Sequence, residues 1–134
     1  MINEKKQDFI RAVGRHKSSA ARVRLQNGKG EFTINGKAMK EYAAYFEYQD
    51  IMVAPLKLVG KEKIFDISAK VEGGGLVGQS KAIRLGISRC LVKYDEELKK
   101  VLKPEGFLIR DSKVKERKKP GLKKARKATQ WKKR

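Results

Sequence analysis

The sequence predicts an α+β domain followed by an extended basic tail, and three observations carry that prediction. The first is strict alternation. Ala21, Val23 and Leu25 alternate with Arg22, Arg24 and Gln26, and Phe65, Ile67, Ala69 and Val71 alternate with Asp66, Ser68 and Lys70. A period of two with one apolar side describes strands that keep one face open, unlike the continuous apolar runs of a doubly wound parallel sheet. The second is a helical period between and after these strands. The third is a break near Arg110. From there to Arg134 the chain holds 13 basic and 2 acidic residues, and its few apolar residues follow no period. Such a segment has too little apolar surface to order itself. The predicted division is residues 1–109 as the domain and 110–134 as the tail.

The elements follow in order. A first strand is predicted at Phe9 to Val13. The second contains Ala21, Val23 and Leu25 and shows a cationic outer face. A glycine-rich turn, "QNGKGEF", leads to a short strand at Phe32 and Ile34, and these two strands are predicted to form a hairpin. Met39, Tyr42, Ala43 and Phe46 recur at i, i+3, i+4 and i+7, which predicts one helix. The apolar stretch from Ile51 to Val59, broken by Pro55 and Lys57, is too short to span a bilayer. A long strand is predicted from Lys63 to Val71. After a glycine loop, Ala82, Ile83, Gly86, Ile87, Cys90, Leu91 and Tyr94 form one apolar helical stripe, with Lys81, Arg84 and Ser88 together on another face. Asp95, Glu96 and Glu97 open a last helix with lysines at its C-terminal end, a polarity that suits the helix dipole, and Pro104 stops it.

Charge narrows the function. There are 34 Lys and Arg against 15 Asp and Glu, a net +19. A chain this basic repels itself and calls for a polyanionic partner. Nucleic acid fits better than membrane, because the charge is not arranged as one amphipathic helix. One cysteine, Cys90, excludes an internal disulfide, and a single His and Cys leave no metal set to speak of. The start of the chain has no apolar signal region, so a reducing cytosol is the expected compartment.

"VEGGGLVGQSKAIRLG" matches two phosphate-binding spacings. Gly73, Gly75 and Gly78 fit GxGxxG, while Gly73 and Gly78 with Gln79 and Ser80 fit GxxxxGK[ST] except at Gln79, where that loop needs lysine. Without that lysine nothing reaches the outer phosphates of a nucleotide. Asp95, at the distance where a dinucleotide fold has its ribose-binding acid, opens a helix instead of ending a strand. Two readings stay open: a tight strand-to-helix turn, or a backbone cradle for a nucleic-acid phosphate beside Lys81, Arg84 and Arg89. "GRHKSSAARV" concentrates basic side chains, hydroxyls and a glycine, a set suited to phosphate oxygens. His16 with Ser18 or Ser19 has no third residue to orient it, so no nucleophile–base pair is expected. Cys90 lies on the apolar stripe and reads as core. In the tail, Trp131 is a large ring amid charge, which favours docking by stacking or insertion.

Three stretches together, "GRHKSSAARVRL", "GGGLVGQSKAIRLGISRCL" followed by "YD", and "RDSKVKERKKPGLKKARKATQWKKR", resemble the bacterial type of small-subunit ribosomal protein S-nine. The resemblance runs from about Phe9 to Arg134, with the motifs in the family's order. It implies a ribosomal S-five domain-two-like fold, a mixed sheet with helices packed on one face. It implies a non-enzymatic protein without cofactor, metal or small-molecule substrate, located in the cytoplasmic ribosome. The implied partners are ribosomal RNA in the small-subunit head, neighbouring head proteins, and transfer RNA at the peptidyl site.

On this reading the ribosomal RNA contacts fall in three groups. Arg11, Arg15, His16, Lys17, Ser18, Ser19 and Arg22 surround the first motif. Gly73, Gly74, Gly75, Gln79, Lys81, Arg84 and Arg89 belong to the loop and its helix. Arg110, Lys113, Arg117, Lys118, Lys119, Lys123, Lys124, Arg126 and Lys127 line the tail. Lys132, Lys133 and Arg134 are the expected transfer RNA contacts; Lys133 and Arg134 fall on the family's terminal Lys-Arg, Trp131 stands where the family has Phe, and Lys132 where it has Ser. The alternative is a free-standing basic nucleic-acid-binding protein, distinguished by whether the partner is structured RNA in the small subunit or DNA.

Overall fold

A computed structural model describes residues 9–109. The predicted tail contacts, from Arg110 to Arg134, lie outside the described residues. The fold is α+β. Five strands, β1 (Phe9–His16), β2 (Ser19–Asn27), β3 (Phe32–Ile34), β4 (Lys37–Ala38) and β5 (Phe65–Glu72), form one mixed sheet in the order β1-β2-β5-β3-β4. The helices are α1 (Met39–Tyr42), α2 (Phe46–Val59), α3 (Leu76–Tyr94) and α4 (Leu98–Leu102).

β1 and β2 form an antiparallel hairpin in which His16 pairs with Ser19, leaving Lys17 and Ser18 at the tip. Lys17 has φ +53, a left-handed conformation typical of tight hairpin loops. The predicted hairpin between β2 and β3 does not form. β5 inserts between them, antiparallel to β2 and parallel to β3. Asn27 pairs with Phe65 on one side of β5 and Phe32 with Ile67 on the other, so residues 28–31 must cross its start. The Asp66 carboxylate holds that crossing by accepting the backbone N–H groups of Lys29, Gly30 and Glu31 at 2.9, 3.0 and 2.9 Å. These bonds, led by that from Glu31, hold its pKa below the ordinary value of 3.8.

The single helix predicted from Met39 to Phe46 is two. The chain turns extended at Ala43 and Tyr45, and Gln49 donates its side-chain N–H to the Ala43 carbonyl at 2.7 Å across the break. The apolar stretch from Ile51 is the second half of α2, with Pro55 buried inside it. Ser88 also departs from its predicted face: it is fully buried and donates to the Arg84 carbonyl one turn back.

The core lies on one side of the sheet. Ala21, Val23, Leu25, Ile67, Ala69 and Ile34 face α3 and α2, where Ile83, Ile87, Leu91, Met52 and Leu56 complete a single cluster. α3 packs across β1 and β2, and α2 packs against α3. Cys90 sits in this core, as its stripe predicts, and burial pushes its thiol up to about 12. Arg11, Arg22, Arg24, Ser68 and Lys70 remain exposed on the opposite face.

Candidate nucleic-acid interface

The two motifs that stand 50-odd residues apart in sequence meet in space. Ala20 pairs with Glu72, so the tip of the β1–β2 hairpin lies beside the end of β5 and the glycine loop that follows it. The Ser19 hydroxyl, 2% exposed, donates to the Gly73 carbonyl at 3.1 Å. Gly73 and Gly74 have φ of +76 and +63, and a Cβ on them would fall 2.5 Å from the Ser18 carbonyl oxygen and 2.1 Å from Ser19 Oγ. Both positions need glycine for conformation and for space. Gly75 differs: its φ is −98, and a Cβ there would have nothing within 4 Å.

Gly75 is also the N-cap of the 19-residue α3, which carries no side-chain cap and no acidic residue in its first turn. The positive end of a long helix dipole and its first-turn N–H groups therefore open beside the exposed Lys17 and Ser18. His16 is half-buried beside the loop, its Cδ2 3.8 Å from where a Cβ on Gly78 would stand. Chemically, this is a donor-rich edge suited to an anion.

Gln79 braces the loop from within. Its Nε2 donates to the Gly73 carbonyl at 3.1 Å, and its Oε1 accepts the Tyr42 hydroxyl. The amide that stands where a nucleotide loop has lysine is thus engaged at both ends by the protein. Ser19 is likewise turned inward, onto Gly73. Ser19, being buried, does not present its hydroxyl to solvent in the way that the sequence predicts for an RNA contact, whereas Gln79 is half-buried.

The remaining basic residues occupy separate places. Arg11, Arg15 and Arg22 are exposed on the open face of the sheet. Arg11 stands directly across from Arg24, and Arg22 from Lys70. Like charges directly opposite destabilise a sheet, so this face favours an anionic cover. Lys81 and Arg84 are half-buried on α3; the Arg84 guanidinium lies 5.3 Å from the Phe107 ring centroid, and burial pulls its pKa below the ordinary arginine value. Arg89 donates to the Val13 carbonyl and Lys93 to the Arg11 carbonyl, so both cap the outer edge of β1. Arg24, Lys70 and Lys93 are further exposed cations beside these, not named among the contacts expected from the sequence, although the alternation of Arg22 with Arg24 and of Ser68 with Lys70 carries the signal for the face of two of them.

Among the described residues no group of three or more His, Cys, Asp or Glu is placed to hold a metal ion, and no helix is long and apolar enough to cross a membrane.

The chain is similar to curated proteins along nearly its whole length. It is 48% identical to a "Small ribosomal subunit protein uS9" of a Cyanothece strain, with 100% of this chain and 98% of that protein covered. The protein of the same name from Mycoplasma mobile is 50% identical, over 94% of this chain and 97% of its own length. A "Small ribosomal subunit protein uS9c" of Gracilaria tenuistipitata var. liui is 49% identical, over 91% and 90%. Residues 14–134 match the family described as Ribosomal protein S9/S16. Because that match takes in the hairpin tip, the glycine loop and the basic C-terminal segment, the chain belongs to the ribosomal protein S9 family, whose members are structural, non-enzymatic components of the ribosome.

Proposed function

We propose that this protein is a structural constituent of the small subunit that binds ribosomal RNA in the head through residues 1–109 and contacts peptidyl-site transfer RNA through an extended tail, residues 110–134. The observation that carries the reading is the convergence of the hairpin tip with the glycine loop at the uncapped start of α3. Lys17, Ser18 and the N–H groups after Gly75 offer a phosphate charge and hydrogen bonds together. Arg11, Arg15 and Arg22 extend the positive surface over the sheet. The glycine loop serves RNA and not ATP, since Gln79 is committed to Tyr42 and Gly73.

The resemblance supports the finer points: the S-five domain-two-like fold, neighbouring head proteins as partners, and a cytoplasmic ribosome as the setting. The tail's 13 basic residues against 2 acidic ones suit a path along RNA. Lys132, Lys133 and Arg134 end that path at the transfer RNA.

Co-sedimentation with small subunits in moderately high salt tests the reading. Retention in the subunit fraction is expected; release of the protein with equal affinity for DNA would favour a free-standing nucleic-acid-binding protein. For the tail, small subunits lacking Lys133 and Arg134 should assemble normally and bind peptidyl-site transfer RNA more weakly. The salt slope should fall by about one for each phosphate that is no longer neutralised. An unchanged affinity and slope would remove the transfer RNA contact from the proposal.

A further inference from the structure

The open face of the sheet carries two adjoining depressions of opposite character. One, of about 410 Å³, is lined by Arg11, Arg22, Arg24, Lys70 and Lys93 among others. The second, of about 280 Å³, is lined by Phe9, Gln26, Glu31, Thr33 and Asp66. Arg24 and Ser68 line both, so the two form one continuous seat. The Arg11 and Arg24 guanidinium carbons lie 4.5 and 5.2 Å from the Phe9 ring centroid, which ties the cationic half to the aromatic half.

We propose that this face seats an unpaired nucleotide of RNA, its phosphates over the Arg11–Arg22–Lys70 half and its base over the Phe9–Arg24 half. The inference rests on the ribosomal RNA-binding reading and names the form of RNA that this face takes. The cationic half suits phosphate alone: no carboxylate among the described residues pairs with Arg11, Arg22, Arg24 or Lys70. The other half rejects phosphate. Asp66 is ionised there, and Glu31 stands beside it. What that half offers is the Phe9 ring, the Arg24 guanidinium plane, and hydrogen-bonding groups at Gln26 and Thr33. Aromatic rings and arginine planes hold unstacked bases, and amide and hydroxyl groups meet base edges. A duplex keeps its bases inside and would bring backbone phosphates against Asp66 and Glu31. A single strand divides its charge and its base between the two halves.

The test places a photo-crosslinking residue between the halves. Small subunits are assembled with the full-length protein carrying Ser68→p-benzoylphenylalanine, and co-sedimentation of this variant checks the ribosomal reading separately. Irradiation should join it to ribosomal RNA at an unpaired nucleotide. A crosslink to a protein, a crosslink confined to paired nucleotides, or none at all would overturn the proposal. The ring is tested with Phe9→Leu and Arg24→Gln in the full-length protein, by fluorescence anisotropy with a ten-nucleotide single-stranded RNA and with its duplex. Stacking contacts predict a loss of single-strand affinity of about five- to a hundredfold for Phe9→Leu, with duplex affinity unchanged. Arg24→Gln should favour duplex over single strand in the same sense. Equal losses for both RNAs, or no loss for either, would show that no base is read here.

Discussion

Gly14 of β1 and Gly86 of α3 face each other where the helix crosses the strand. A Cβ on Gly14 would fall 1.9 Å from the Ala82 carbonyl oxygen and 2.4 Å from the Gly86 nitrogen; one on Gly86 would fall 2.5 Å from Val23 Cγ2. The obstruction at Gly14 is backbone, which cannot rotate away. The close crossing sets the depth at which α3 sinks onto β1 and β2, and so the position of the glycine loop at its start. Gly14→Ala should destabilise the fold by about 3 kcal/mol or more, at the upper end of overpacking effects. Gly86→Ala has its tightest contact with the Val23 side chain and meets backbone, the Gly14 nitrogen, only at 3.4 Å, so it should destabilise by less, about 1–2 kcal/mol. Urea unfolding of both variants checks the order; equal effects would mean that α3 shifts freely on the sheet.

Asp66 makes the fold acid-sensitive. Its carboxyl binds a proton less readily in the folded protein than in the unfolded chain, because the charged form accepts three backbone N–H groups. The stabilisation is therefore fully present above the ordinary value of 3.8 and is lost as pH falls below it through the folded value. Asp66→Ala should lower stability near neutral pH by about 1 kcal/mol, because the crossing loses its shared acceptor while the three exposed donors turn to water. The gap between variant and parent should narrow below pH 3.8. Unfolding free energies measured from neutral pH downward would show it, and a gap of constant width would mean the carboxylate charge plays no part.

Cys90 offers a probe of the core itself. It is fully buried between α3 and the sheet, and burial pushes its thiol up to about 12, with Lys93 acting in the opposite direction. Thiolate and access are both withheld until the helix leaves the sheet. At mildly alkaline pH, alkylation of the native protein should be slower than that of a free thiol by on the order of a thousandfold or more, since global opening has that rarity in stable domains. Rapid native labelling would show that α3 lifts locally from β1 and β2.

Much of this architecture is legible in the sequence, and particular residues show where legibility ends. The alternations in β2 and β5 and the apolar stripe of α3 identify a half-open sheet with a buried helix, because each period follows from local backbone geometry. Strand order does not. The glycine-rich link "QNGKGEF" reads as a hairpin turn, yet Asp66, 35 residues beyond Glu31, turns it into a crossing over β5. The pair Asn35–Gly36, with φ of +51 and +80, is the local signal for the real tight turn between β3 and β4. At the site, residue types are legible and their assignments are not. Gln79 and Arg89 read as surface contacts in sequence, and the fold gives each a partner that no period reveals, Tyr42 for Gln79 and the Val13 carbonyl for Arg89. The meeting of Ser19 with Gly73 depends on the β2–β5 register, which no period reveals.

The glycine loop separates a structural role from a phosphate seat by opposite signs in one variant. Gly74→Ala combines a left-handed φ with a Cβ at 2.1 Å from Ser19 Oγ, so it should destabilise by about 1–3 kcal/mol whatever the loop binds. Gly75 has an extended, N-cap-compatible conformation and open space where a side chain would go. Gly75→Asp supplies the cap that α3 lacks. The carboxylate accepts first-turn N–H groups and meets the positive end of the dipole, which should raise stability by about 0.5–1 kcal/mol. The same carboxylate would occupy the place of a phosphate. If RNA uses this edge, Gly75→Asp should raise the melting temperature, weaken ribosomal RNA binding, and reduce the salt slope by about one. Thermal unfolding and RNA affinity across a salt series, measured on the same preparation, give both signs. A stabilised protein with undiminished RNA affinity would leave the glycines as a tight turn alone, fitted against Ser18 and Ser19, with the phosphates bound elsewhere on the protein.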